Sequence, residues 1–166
     1  SGVSADADAM VLTLSNVGVF VGVGGALLDN NGGAATPTDY SDDTVVNGTL
    51  GFGATVGTLT LVSIKDRGAL PLLATDDVTY LGVALDDFAG DLVGLESVLE
   101  FHAYGVDAVL NKVSSGVLVI PAADKLDWST FTSTGLDLSA AQAALNGTTL
   151  GALTDSVDLA IVGSVV

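Results

Sequence analysis

The chain has 166 residues, 4 basic side chains against 20 acidic ones, a formal net charge of −16 and no cysteine. Its length suits one domain or one long repeat able to bury a core without staples, and the lack of cysteine excludes a disulfide framework and a thiolate metal site. The acidic balance argues against nucleic-acid binding, which needs Lys and Arg clusters facing phosphate, and no apolar run is long enough to span a bilayer as a helix.

Eighteen of the acidic residues are Asp, with Glu96 and Glu100 the exceptions. Asp, Gly, Thr, Ser and Asn are turn formers, and the stretches between them are rich in Val, Leu and Thr, which suit strands. The mean hydropathy of +0.61 is high for so acidic a chain. It predicts buried strands, with some apolar surface covered by neighbours.

In chain order, Met10–Leu14 alternates as a strand, and the apolar phase then shifts at Ser15-Asn16 into Val17, Val19, Val21 and Val23. Such a shift implies a bulge or a tight turn. A loop is expected from Gly24 to Asp43. Asn47-Gly48 between β-prone residues predicts a hairpin turn. Leu50, Phe52, Ala54 and Val56 alternate until Gly57 resets the phase into Leu59–Ile64. Beyond a polar loop over Lys65–Asp77, strands are predicted at Val78–Leu85, Leu92-Val93 and Val98–Val113, the last with a shift near Gly105, and a short buried one at Val117–Ile120. One helix is predicted over Ala140–Asn146, with Ser139 and Gln142 as a capping box and Gly147 as its stop. The fold class is therefore all-β, an elongated sandwich or a solenoid-like repeat of short strands, with at most that one short helix.

The strongest candidate for chemistry is the acidic loop. Ca²⁺ takes six to eight oxygen ligands at flexible geometry, and Asp29, Asn31, Asp39, Asp42 and Asp43 lie in a stretch relaxed by glycine. The spacing matches no EF-hand, since Tyr40 stands where the bidentate Glu belongs, so turn capping competes with calcium as the explanation. Asp76-Asp77 and Asp86-Asp87 pose the same question more weakly. His102, the sole histidine, cannot make a His-rich zinc site, and no nucleophile elbow accompanies it. Gly18–Gly25 lacks the following helix that a dinucleotide loop requires. Trp128, Tyr40, Tyr80 and Tyr104 could form a sugar-stacking platform, although Trp128 sits with Leu126 and Phe131 in a patch that reads as core. No enzyme is expected.

Ala9–Gly25 running into Leu28-Asp29-Asn30-Asn31 and Asp39–Asp43, together with Gly57–Ser63, Tyr80–Val83, Leu92–Leu95 and Leu126–Ser129, resembles a recurring unit. It is similar to the repeats of very large, low-complexity bacterial surface proteins, including those with an LEPR-XLL amino-terminal motif and adhesin-like or calcium-binding labels. The tail Val157–Ser164 resembles the start of a following unit. The resemblance implies secretion to the cell surface and tandem arrangement, and brings no catalytic residue with it.

Residues 1–166 are accordingly expected to be one repeat unit of a longer array, since Ser1-Gly2 and the apolar tail to Val166 read as cuts. The expected role is a structural part of an extracellular fibre, matrix or adhesin-like protein, assembling with neighbouring copies through strand edges and apolar ends. The alternative is a calcium-dependent adhesion module or a carbohydrate-binding one recognising surface glycans.

Overall fold

The structure, a computed structural model, describes residues 7–30, 43–68, 70, 74–133 and 135–166. Among the described residues, alternating Val, Leu and Thr build seven strands: β1 (Ala7–Val23), β2 (Ala26–Leu28), β3 (Thr44–Val46), β4 (Leu50–Asp66), β5 (Val78–Val93), β6 (His102–Ser115) and β7 (Leu159–Val165). The one helix among the described residues is α1 (Ser139–Leu145). The all-β expectation with a single short helix holds. Five strands form an antiparallel sheet in the order β1-β4-β5-β6-β7, with β1 and β7 as edges, and β2 pairs with β3 in a small second sheet.

Successive residues of a strand point to opposite faces, so the register defines two surfaces. On one lie the rows Ala9–Ile64–Tyr80–Val113, Val11–Val62–Gly82–Asn111 and Thr13–Thr60–Ala84–Val109–Ala160. This face is covered by the segment between β6 and β7, which contributes Leu126, Trp128, Leu138, Ala141, Leu145 and Leu153 to the core. Trp128 is 1% exposed and stacks edge-on against Phe131, which bears out the reading of this patch as core.

Two residues shape the sheet for that cover. Gly82 leaves room for the indole: a Cβ there would stand 2.8 Å from Trp128 and 2.9 Å from Leu145. Asn111, fully buried, donates to the carbonyls of Leu126 (2.8 Å) and Thr154 (2.9 Å) and accepts from the Trp128 indole N–H (3.1 Å). A buried amide bonded on both sides ties the covering segment to the sheet at a fixed place.

The phase shifts seen in the sequence coincide in space. Asn16 (φ 54°), Gly57 and Asp87 (φ 54°) stand side by side across β1, β4 and β5. Gly105 (φ 55°) and Gly163 carry the line through β6 and β7, where the ladder is irregular. The breaks therefore crease long strands instead of ending them. Strands of 14 to 17 residues replace the short ones expected.

Four local expectations are corrected. Asn47-Gly48 makes no hairpin: it joins β3 to β4, which belong to different sheets. Gly48 is needed for close approach, because a Cβ there would come within 2.1 Å of the Val23 carbonyl where β1 turns into β2. Val117–Ile120 is no buried strand, Val117 and Ile120 being 79% and 86% exposed. The capping box does not form, as Asp137 accepts from the Ser139 backbone N–H (2.9 Å) and Gln142 donates instead to the Trp128 and Phe131 carbonyls. Gly147 lacks the left-handed stop, and Asn146, still in the right-handed region, caps the helix.

Candidate functional site

The second surface of the five-stranded sheet carries Leu12–Leu61–Val83–Leu110–Leu159 in one row and Leu14–Leu59–Leu85–Ala108–Ile161 in the next. Both rows are wholly apolar. Beyond them lie a mixed row, Met10–Ser63–Leu81–Lys112, and a polar one, Asp8–Lys65–Thr79–Ser114. Nothing among the described residues covers this face. Its edge-strand members Met10, Leu12, Leu14, Leu159 and Ile161 are 39–63% exposed, and the central residues remain half-buried only by their flanking strands. A contiguous apolar patch of this extent marks an interaction surface. The sequence signal for it was present, because these strands are apolar on both faces, the pattern of a sheet buried on both sides.

The calcium candidates divide. Asp29 directly follows β2 and Asp43 directly precedes β3, so the Leu28–Thr44 pairing places them at the same end of the small ladder. There Asn30 donates to the Thr44 hydroxyl (3.2 Å). Asn31, Asp39 and Asp42 lie outside the described residues. Among the described residues no group of three or more His, Asp or Glu is arranged to hold a metal.

Asp86 and Asp87 meet Asp107 and Thr149 in a shallow depression. Asp107 is 5% exposed and its carboxylate is occupied by the protein itself. It accepts from the Asp87 backbone N–H (2.9 Å), where the β5–β6 ladder is interrupted, and from the Thr149 hydroxyl and backbone N–H. These donors hold Asp107 below the usual carboxylate range, whereas burial, with Asp107 and Asp87 close by, pushes Asp86 up. The arrangement pins a bulge to the covering segment.

His102 is neither packed nor paired with a nucleophile. It sits between Asp91 (Nδ1, 2.6 Å) and Glu100 (Nε2, 3.2 Å), whose hydrogen bonds raise its pKa. Glu96 accepts from the Gly94 backbone N–H (2.8 Å), as a turn residue does. Asp77 pairs with Lys65 at 2.8 Å. Trp128 and Tyr80 are buried and cannot form the sugar platform, which leaves Tyr104 as the exposed tyrosine among the described residues. No described helix is long and apolar enough to cross a membrane.

No protein-family model, no curated protein and no solved structure matches the chain.

Proposed function

We propose that this chain is a non-catalytic structural unit of an extracellular, adhesin-like assembly, and that its partners are neighbouring units of the same protein. The observation that carries the reading is the open apolar face of the five-stranded sheet. A fold whose described residues build so complete a cover for one face and leave the other bare is built to be completed by something outside itself. The backbone edges of β1 and β7, the outer strands of the sheet among the described residues, offer a second direction of growth. Placement outside the cell rests on the resemblance to giant surface-protein repeats and on the Asp-rich turns.

The test is the size distribution of the purified chain against concentration, by light scattering and negative-stain imaging. Extended assemblies of many copies are expected. Separate monomers, or closed pairs that grow no further, overturn the structural reading.

Calcium-dependent adhesion is the second reading, favoured by the placement of Asp29 and Asp43 at one end of the β2–β3 ladder. A calcium-saturated site would raise stability by about 2.7 kcal/mol at 100 times its dissociation constant. A melting temperature unmoved by chelator would remove it.

A further inference from the structure

We infer that the open face of the sheet is the seat of a second copy of this chain, the two sheets stacking face to face about a twofold axis near Val83 on the central strand β5. The inference deepens the structural reading above and rests on it for the identity of the partner.

The two faces differ in a way that identifies the occupant. The covered face is tailored to an irregular segment, with Gly82 hollowed for Trp128 and Asn111 aimed at two backbone carbonyls of that segment. In its two apolar rows the open face has no such device, no glycine and no polar anchor. A regular lattice of aliphatic side chains suits another regular lattice. Stacked sheets about 10 Å apart interdigitate such rows, strands crossing at about 30°. The same patch can then serve both partners, as a twofold interface requires.

Charge points the same way. None of the 20 acidic residues falls in the two apolar rows, although each copy carries −16. Across this face two copies can meet without setting carboxylate against carboxylate. Asp8, Lys65 and Lys112 give the patch a polar margin of mixed sign at one end, the rim of an interface.

With edge members 39–63% exposed and the central members half-buried, the two rows and Met10 offer on the order of 600 Å² per copy, below the roughly 800 Å² that each partner of a standard interface buries and at the low end of specific interfaces. A lipid surface fits less well. Neither the two rows nor their margin holds a Trp or Tyr to anchor at headgroups, and anionic lipid would repel so acidic a chain.

The experiment is sedimentation equilibrium of the intact chain up to about 1 mM, at about 0.05 and about 0.5 M salt. The Trp128 near-ultraviolet signal serves as the check on folding. Face-to-face pairing is expected as the first step of the extended assembly, and it should tighten with salt, because screening relieves the repulsion between copies. Val83→Asp at the centre and Leu159→Lys at the margin should each weaken the pair, by at least about 30-fold for the former. Because the chain has no cysteine, Val83→Cys adds a single thiol. A short bis-maleimide should link it into a dimer and leave Ala140→Cys, on the covered side, unlinked.

Should Val83→Asp fail to fold, Leu159→Lys and the crosslink decide. Association that persists unchanged in folded variants, with no Val83→Cys crosslink, overturns the face as the seat and leaves an edge-built assembly standing. Closed pairs broken by these variants sustain the inference while overturning the extended assembly. A monomer at every concentration overturns both. Binding to zwitterionic vesicles without pairing assigns the face to lipid and overturns the inference.

Discussion

Replacing Asn111 with Leu keeps the volume at the centre of the core and removes every bond the amide makes. Two carbonyls, of Leu126 and Thr154, lose their donor, and the Trp128 indole N–H loses its acceptor, all in a region where Asn111 itself is inaccessible. A buried group left unsatisfied costs about 1–3 kcal/mol. The Thr154 bond is only part-buried, so water can compensate one carbonyl. The expected loss is then about 3 kcal/mol, or about 10 °C in melting temperature for a chain of this size. The assay is urea unfolding followed by the emission of Trp128, the sole tryptophan, which also reports whether the covering segment stays seated. A loss below about 1 kcal/mol with native emission would refute the claim that this amide ties the segment to the sheet.

Other perturbations follow from the same geometry. Gly82→Val places a side chain against Trp128 and Leu145 and should cost about 2–3 kcal/mol in urea unfolding. Asp86 has a raised folded pKa, so its contribution is fully present below pH 3.8 and is lost as pH rises through the folded value. Asp86→Asn should therefore raise the unfolding free energy from urea titration at pH 7, by under about 1 kcal/mol, and leave it unchanged near pH 3. His102, raised by Asp91 and Glu100, contributes stability that is complete below pH 6.5 and lost as pH climbs through the folded value. NMR titration of its ring should give a pKa above that of a free histidine, and Asp91→Asn should bring it down.

The strand pattern was legible because alternation survives in every long segment. Its interruptions at Asn16, Gly57 and Gly105 were also visible, but a single chain cannot show that they stand in one line; only the register between strands does. Asn47-Gly48 misled for a related reason. The dipeptide is a turn signal when nothing crosses it, yet here Gly24 and Gly25 press against it from the turn between β1 and β2. Val117–Ile120 misled because an apolar run looks the same whether it is buried or left at the surface. Of the acidic loop, the sequence showed the composition and the fold adds the position of Asp29 and Asp43 alone. The apolar face was foreshadowed by the high mean hydropathy.

Charge and apolar surface together separate the two proposals about calcium and assembly. A chain at −16 pairs more readily in any added cation, since screening lowers the repulsion between copies. Promotion of assembly by calcium would therefore not by itself establish a calcium site. A site built from Asp and Asn oxygens prefers Ca²⁺ to Mg²⁺, because the smaller ion demands strict octahedral geometry and gives up water reluctantly. Screening does not distinguish them. If Asp29 and Asp43 belong to a calcium site, pairing should respond to calcium well below the magnesium concentration that matches it, and Asp29→Asn with Asp43→Asn should erase that difference. If the carboxylates act only as net charge, the two ions should promote pairing at equal concentration, and the double variant should pair slightly better in the absence of either. Equal titrations by light scattering would assign calcium to screening and leave the apolar face and the strand edges as the specific determinants of assembly.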